Sequence, residues 1–306
     1  MTPSSLSPGE LAARLESTGI FLQTGAFITH IRSPIQSVAE GIALLYADHH
    51  MAVQTDFADF HVSLERPATV RKWFKPQVLF KFDGKSPFKP LPFEQAFPML
   101  EWGLNWCVSS YANRYLIIHA AVIEKNGHAV ILPAPPGSGK STLCAALVHR
   151  GWRLLSDELA LIGTSDGKIM PLPRPVSLKN QSIDIIGSYV PNGIFSRSVT
   201  DTMKGTVAHL KPPVESVRRA SESAMPGWVI FPKWESGARA GLDELPRSRA
   251  FMRVAENAFN YSALGTLGFE TLAGVIDRSL CFEFHYSDLD DAVDIFASLQ
   301  PATLAS

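Results

Sequence analysis

The 306-residue sequence contains few cysteines and no long apolar run. Its three cysteines, Cys107, Cys144 and Cys281, form no Cys-x-x-Cys pair, which argues against both a disulfide framework and a zinc site. The longest apolar runs, residues 117–123 and 129–132, are far shorter than the roughly 20 residues that a membrane-spanning helix requires. The Ser- and Pro-rich start lacks the basic and apolar parts of a secretory signal. We therefore expect a cytoplasmic protein with buried thiols and no membrane partner.

Net charge is also nearly absent. The 28 Lys and Arg residues balance 29 Asp and Glu residues and leave a formal charge of −1, so no field of the whole protein attracts nucleic acid or an anionic membrane. Any polyanion must therefore be bound locally. A hydrophobic fraction of 46% suffices for packed cores, and a typical domain length of about 150 residues predicts two domains.

The first third of the chain predicts a small α+β region. Residues 60–65 and 78–82 alternate apolar and polar side chains as strands do, whereas residues 93–111 carry apolar side chains at helical spacing. We expect an α+β N-terminal domain over residues 1–113, available for docking a substrate or partner, and a larger domain over residues 114–306.

A basic stretch lies within the first predicted domain. Residues 66–89 contain seven basic residues and one acidic residue, Asp83. Basic charge interleaved with aromatic rings can indicate a nucleic-acid surface, but the solvated face of a hairpin explains the pattern equally well, and a docking face for a partner is a further interpretation. We expect no nucleic-acid partner. The interleaved aromatic residues are Trp73, Phe74, Phe80, Phe82 and Phe88.

The most informative segment is a glycine-rich loop between the apolar strand 128–132 and a helix-forming run over 142–150. It fits the Walker A pattern, with alanine in place of the first glycine. The glycines let backbone N–H groups turn towards phosphate oxygens, the lysine supplies charge for the β- and γ-phosphates, and the serine hydroxyl suits Mg²⁺. The predicted ATP-binding residues are Ala134, Pro135, Pro136, Gly137, Ser138, Gly139, Lys140, Ser141 and Thr142.

Two adjacent acids follow the next predicted strand, over residues 152–155. Asp157 and Glu158 are placed for metal and proton chemistry, because one carboxylate can hold Mg²⁺ while the other serves as a general base. A surface turn with two solvated acids is the alternative. Upstream, His119 lies in an apolar run, where a lone histidine is usually a core residue.

The order of His119, the loop, a helix and the segment 150–158 resembles the catalytic core of the bacterial HPr kinase/phosphorylase family. The segments "FADFHVSL", "LEWGLNWC", "HAAVIEKNG", "APPGSGKSTLCAAL", "RPVSLKNQSI" and "GTVAHLKPP" resemble the subgroup called HprK-related kinase A. The resemblance implies a P-loop domain of the HPr-kinase and phosphoenolpyruvate-carboxykinase type. It further implies an ATP- and Mg²⁺-dependent serine kinase acting on a protein or peptide, and self-association, since HPr kinases form rings.

Carried over to this sequence, the resemblance implies three catalytic residues. Asp157 becomes the base that takes the seryl proton, His119 lies near the transferred phosphoryl group, and Lys140 binds it. Ser141, Asp157 and Glu158 become the metal ligands. Glu158 stands where the family has a second aspartate, and Ala120 replaces a family glycine.

The family pattern is broken downstream, because Lys179 occupies the position of a metal-binding glutamate. Asn180 could supply a carbonyl oxygen instead, or Lys179 could contact phosphate; a solvated loop is the alternative. Arg174 is rigidly presented between two prolines and could reach a phosphate. Residues 204–211 resemble in position and composition a flexible basic loop of the HPr kinases.

Two further hypotheses stand beside the serine kinase. A small-molecule kinase of the same fold, or a relative of the carboxykinases, would use the same loop. The Lys179 substitution instead suggests a nucleotide-sensing module that binds ATP without transferring phosphate.

Overall fold

The computed structural model describes residues 1–67, 74–135 and 137–300. Pro136 of the glycine-rich loop and residues 68–73, which include Trp73 of the basic stretch, lie outside the described residues. The described chain has a mixed α/β fold built on three sheets. None of its helices combines the length and apolar character needed to cross a membrane.

The first part of the chain forms a sheet with strand order β3-β1-β2-β4-β5-β6 and three helices. Serine at the N-cap and glutamate at the third position form a capping box that starts the first helix. The third helix buries an apolar stripe against the sheet. The strands are Ile20–Thr24 (β1), Phe27–Arg32 (β2), Met51–Ala52 (β3), Phe60–Glu65 (β4), Gln77–Phe82 (β5) and Leu91–Pro92 (β6), and the helices are Pro8–Glu16 (α1), Gln36–Leu45 (α2) and Ala96–Tyr111 (α3).

The rest of the described chain adds longer strands and shorter helices. The strands are Tyr115–Lys125 (β7), His128–Pro133 (β8), Arg153–Ser156 (β9), Leu159–Gly163 (β10), Ile169–Met170 (β11), Val176–Lys179 (β12), Val199–Thr202 (β13), Gly205–Leu210 (β14), Met225–Trp234 (β15), Gly241–Glu244 (β16) and Leu280–Tyr286 (β17). The helices are Lys140–Val148 (α4), Gln181–Tyr189 (α5), Val214–Arg218 (α6), Arg247–Glu256 (α7), Tyr261–Leu264 (α8), Thr266–Arg278 (α9) and Leu289–Ala297 (α10).

The central sheet has the order β11-β10-β7-β8-β15-β17-β16, and β9 pairs with β7. Strands β8, β15 and β17 run parallel. Ligands of α/β sheets bind beyond the carboxyl ends of parallel strands. The glycine-rich loop follows β8, so the chain places it at that edge.

Alternating residues of β7 feed two cores on opposite faces of the central sheet. Ala121 and Ile123 pack with α4, α5 and α10, whereas Ala120 and Val122 pack with α7 and α9. This alternation follows from the two-residue period of a strand. The sheet is therefore covered by helices on both faces.

The third sheet, β12-β14-β13, connects the central sheet to the first part of the chain. The His49 ring nitrogen Nε2 lies 2.9 Å from the Pro173 carbonyl oxygen, and the His209 ring packs edge-on against Phe97 of α3. The expectation of a loop over residues 204–211 is wrong for most of that segment, because β14 runs to Leu210 and buries His209. Backbone pairing on both sides of β14 fixes it as a strand.

Candidate active site

The glycine-rich loop joins β8 to α4 through two glycines with positive φ. Gly137 has φ of +88° and Gly139, the N-cap of α4, has φ of +85°. A side chain at Gly139 would also meet the Tyr286 hydroxyl, 2.4 Å from the ideal Cβ position. That hydroxyl donates to the Gly139 carbonyl at 3.1 Å. Glycine is thus required here by backbone conformation and by close packing.

One cleft brings together the described residues of the predicted loop, Ser182 of α5 and three ionisable side chains from elsewhere. We call it the loop cleft. Residues 119, 158 and 179 reach it from β7, the β9–β10 turn and the end of β12. Pro136 cannot be placed, since it lies outside the described residues. The lining residues are His119, Ala134, Pro135, Gly137, Ser138, Gly139, Lys140, Ser141, Thr142, Glu158, Lys179 and Ser182.

The first residues of α4 are tied to Asp157. The Lys140 ammonium donates to the Asp157 carbonyl oxygen at 3.1 Å, and the Ser141 hydroxyl donates to Asp157 Oδ2 at 3.2 Å. The backbone N–H of Ser177 donates to the same carboxylate oxygen at 3.0 Å. Donors from α4 and β12 therefore meet at one buried carboxylate, and Lys140 binds the backbone of the same residue.

Burial raises the pKa of Asp157, and the neighbouring Glu158 charge adds to the rise, while the Lys140 charge opposes it. The other carboxylate oxygen, Oδ1, is buried and has no hydrogen-bond partner among the described residues. An unsatisfied buried oxygen is costly. Asp157 thus has one oxygen held in place and one with unmet hydrogen-bonding capacity.

Glu158 has the opposite electrostatic environment. Burial opposes its ionisation, but a hydrogen bond from His119 and the charges of Lys140, Lys179 and Lys204 outweigh burial and hold the Glu158 pKa well below its usual range. His119 Nε2 lies 3.2 Å from Glu158 Oε2. The two adjacent acids therefore differ: Glu158 is held as an anion, and Asp157 is favoured as a proton acceptor.

His119 reaches Glu158 because of strand register. His119 lies directly opposite Leu159 in the antiparallel β7–β10 pair, which puts it beside the preceding Glu158. Its ring also stacks on Phe259, with ring centroids 5.9 Å apart. His119 therefore lines the loop cleft, although a lone histidine in an apolar run is usually a core residue.

The segment after β12 is a strand end followed by a strained turn. Lys179 lines the loop cleft, as the phosphate-contact alternative requires. Asn180 has φ of +52°, and its side-chain oxygen accepts a hydrogen bond from the Thr206 N–H at 3.0 Å. That hydrogen bond holds the β12–β14 connection together, and Asn180 is not among the residues that line the loop cleft.

Arg174 does not reach the loop cleft. Its guanidinium is buried and pairs with the Glu101 carboxylate at 2.6 Å. It also donates to the Tyr46 hydroxyl at 3.2 Å and to the Asn105 side-chain oxygen at 2.8 Å. The phosphate-contact interpretation of Arg174 is therefore wrong, since its hydrogen-bonding groups are used to join α3 to the chain before β12.

A second, more enclosed space lies on the other side of the acidic pair, and we call it the inner cavity. Asp157 and Glu158 form part of its wall, while α3 contributes Glu101, Trp102 and Asn105. The site predicted from the sequence contains no residue of α3. A charged residue within the apolar stripe of α3, Glu101, is the signal that could have indicated it.

Comparison with known proteins gives two matches. The family model of the SynChlorMet cassette protein ScmC matches residues 100–178, which run from within α3 through the loop and the acidic pair to β12. Among solved structures, the HPr(Ser) kinase/phosphatase from Coxiella burnetii is matched with 11% sequence identity and a TM-score of 0.26, over 59% of this chain and 95% of that one. No curated protein matches. The matching family model is thus that of ScmC, and the HPr kinase likeness is distant.

Proposed function

We propose that this protein is an ATP- and Mg²⁺-dependent kinase that transfers the γ-phosphoryl group to a seryl hydroxyl of a protein or peptide. The observation that carries the proposal is the convergence of the loop on the acidic pair. Lys140 and Ser141 both contact Asp157, at 3.1 and 3.2 Å. A glycine-rich loop, its lysine, a hydroxyl and a carboxylate are the parts that phosphoryl transfer requires.

The charges around the loop cleft suit a polyphosphate. Lys140, Lys179 and Lys204 all act on Glu158, and burial together with the charges of the other two lysines lowers the pKa of Lys204. Three ammonium groups near one ionised glutamate leave excess positive charge. The N-terminus of α4 adds its dipole to this field. The triphosphate tail of ATP would neutralise that excess.

The residues present also fit Mg²⁺. No group of three or more His, Cys, Asp or Glu side chains in the described chain forms a metal cage. Mg²⁺ at a nucleotide site needs only one or two protein oxygens, because phosphates and water supply the rest. Ser141, Glu158 and Asp157 Oδ2, the oxygen that the Ser141 hydroxyl contacts, would hold it. When bound, it neutralises charge on the β- and γ-phosphates.

The proposed transfer step assigns a role to each acid. The acceptor oxygen forms a bond to the γ-phosphorus, the bond from phosphorus to the β–γ bridging oxygen breaks, and its electron pair leaves with ADP. Asp157 takes the hydroxyl proton, a role that its raised pKa favours. Glu158 stays ionised and is oriented by His119.

Under the same proposal, the first part of the chain, residues 1–113, recognises the acceptor. We keep the division into an α+β domain over residues 1–113 and a P-loop domain over residues 114–306. The cytoplasmic location, self-association and the lack of a nucleic-acid partner stay predictions.

Asp157→Asn tests the base assignment. We expect ATP affinity within about threefold of wild type and a fall in transfer of about 100- to 10,000-fold, the range that general base catalysis contributes. Isothermal titration calorimetry measures the affinity. Transfer is measured by incubating the protein with γ-labelled ATP and a lysate of its own cells and locating the labelled residue by mass spectrometry.

Asp277→Asn, the same change at an exposed position of α9, is the matched control. Retained transfer in Asp157→Asn would disprove the base assignment. Label on a metabolite instead of a polypeptide would favour the small-molecule kinase. If the wild-type protein binds ATP tightly and transfers no phosphate, the result would favour the nucleotide sensor.

A further inference from the structure

Two histidines lie side by side on the outer face of the first sheet. His30 of β2 is directly opposite His61 of β4 in the parallel pair. Their Nδ1 atoms are 3.2 Å apart, and the planes of the two rings meet at 79°. The next residues along the two strands, Ile31 and Val62, point into the core. Because successive side chains of a strand point to opposite faces, the two histidines lie on the face away from the core.

The His30 ring is held in one orientation. Its Nε2 atom lies 2.8 Å from the Thr18 carbonyl oxygen, and since a carbonyl can only accept, this nitrogen carries the proton. Phe21 of β1 stacks on the ring, with centroids 4.5 Å apart and planes within 16° of parallel. Histidines that bind a metal typically donate their other ring N–H to a carbonyl in this way. The Nδ1 atom of neutral His30 is therefore a lone pair directed at His61.

The proton between the two rings belongs to His61. Since His30 Nδ1 can only accept, His61 Nδ1 donates to it across the 3.2 Å contact. Moving that proton to Nε2 of the exposed His61 ring leaves two lone pairs beside each other. Two nitrogen ligands of a tetrahedral zinc ion, with bonds of about 2.0–2.1 Å, are about 3.3 Å apart. A metal ion can thus replace the shared proton at nearly the present separation of the nitrogens.

We propose that His30 and His61 form a binding site for a divalent transition-metal ion of the Zn²⁺, Ni²⁺ and Cu²⁺ class. Imidazole nitrogen suits these ions, whereas Mg²⁺ and Ca²⁺ prefer oxygen ligands. The protein supplies two ligands and water the others, in keeping with the lack of any cluster of three or more His, Cys, Asp or Glu side chains among the described residues. Neither histidine lines the loop cleft, so the inference goes beyond the proposed function and does not depend on it.

The metal ion joins two strands that are separated in sequence. β2 and β4 pair in parallel, and residues 33–59 connect them. The unfolded chain does not hold the two rings together, so the ion binds the folded state more tightly and stabilises it by mass action. Urea unfolding of the first part of the chain should therefore need a higher urea concentration when the ion is bound.

The first test titrates the full-length protein with NiCl₂ in excess Mg²⁺, which occupies oxygen-ligand sites, and follows binding by isothermal titration calorimetry. His30→Gln and His61→Gln each remove one ligand. We expect each to weaken Ni²⁺ at this site by about tenfold or more, since even the loss of an outer hydrogen-bond partner costs that much. His50→Gln, the same change at an exposed histidine of the same part of the chain, is the matched control and should leave the affinity unchanged.

The second test locates the ion in the wild-type protein. Diethyl pyrocarbonate modifies a histidine nitrogen that has a free lone pair, and its products are assigned to residues by mass spectrometry. Without the ion, His61 offers an exposed Nε2 lone pair and should react. Bound Ni²⁺ moves the proton to that nitrogen and occupies the other, so modification of His61 should slow while His50 reacts as before.

Equal Ni²⁺ binding by the wild type and both ligand variants would overturn the inference, as would an unchanged rate of His61 modification in saturating Ni²⁺. An equal loss of affinity in His50→Gln would also overturn it, because the ion would then bind surface histidines without selection. Circular dichroism checks that each variant is folded, and the modification test needs no substitution. Failure to bind ATP would count against the proposed function and leave this inference unaffected.

Discussion

Two buried groups of charged side chains lie close to α3, and they differ in how their charges are satisfied. In the first, Arg174 pairs with Glu101 and also donates to Tyr46 and Asn105. In the second, three lysines surround Glu158, and Asp157 keeps an unpartnered oxygen. A saturated group serves packing, whereas an incompletely neutralised group is prepared for a ligand. Under the proposed function, this contrast separates structural from functional charge within one molecule.

The largest expected effect comes from breaking the saturated group. Arg174→Met leaves Glu101 buried without a counter-charge, which should lower the free energy of unfolding by about 3–5 kcal/mol. Urea denaturation followed by circular dichroism measures the change. Arg218→Met, in an exposed pair with Glu215, should cost at most about 1 kcal/mol. If Arg174→Met and Arg218→Met lowered the unfolding free energy equally, burial would not distinguish the Arg174–Glu101 pair from the Arg218–Glu215 pair.

Acid should weaken the packing between the two parts of the chain. Burial lowers the pKa values of His49 and His209 from 6.5 to about 4. The unfolded chain then binds more protons between these values, so stability is lost as the pH falls from about 6.5 towards 4, by up to about 3 kcal/mol for each histidine.

His49→Gln and His209→Gln should each flatten the dependence of unfolding free energy on pH over that range. His50→Gln, at an exposed neighbouring position, should not. A wild-type profile that is flat between pH 4 and 6.5 would contradict the assignment of these buried neutral rings.

Removing a charge from the incompletely neutralised group should affect ligand binding more than stability, whereas removing one from the saturated group should affect mainly stability. Lys140→Met removes one of three clustered positive charges, so it should change the unfolding free energy by less than about 1 kcal/mol while weakening ATP by about 30-fold. That loss corresponds to about 2 kcal/mol for a hydrogen bond to a charged group. Calorimetry with ATP and Mg²⁺ measures it, and Lys168→Met at an exposed site is the control.

A half-buried pair between the two parts of the chain should show the smallest effect. Lys211 and Asp48 are 2.6 Å apart, with side-chain exposures of 17% and 28%. Lys211→Ala should lower the unfolding free energy by about 0.5–1 kcal/mol, and the loss should shrink in high salt because exposed charges are screened. Insensitivity to salt would indicate that the lost contribution is packing of the lysine stem.

Much of the fold followed from local pattern. The alternation over residues 60–65, the helical spacing over residues 93–111 and the apolar strand over residues 128–132 all agree with the structure. Acids at residues 288–291 are explained by capping, because Asp288 accepts from the N–H groups of Asp290 and Asp291. Short-range chemistry decides these features, so a single sequence contains them.

Long-range features were predicted less well. Arg174 looked like a presented cation, but its partners Tyr46 and Glu101 are more than seventy residues away in sequence. His209 looked like part of a loop and is a buried strand residue. Such errors arise because partners from distant elements change a side chain's role without changing its local pattern.

The sequence by itself determined the glycine-rich loop and the identity of its acids, since strand, turn and helix signals are local. Only the tertiary structure decided how those acids differ. Asp157 and Glu158 are adjacent and chemically alike, yet burial raises the pKa of one, while His119 and three lysines lower that of the other. Their environments are assembled from β7, β12, the turn between β13 and β14, and the start of α4, and strand register and packing bring these elements together.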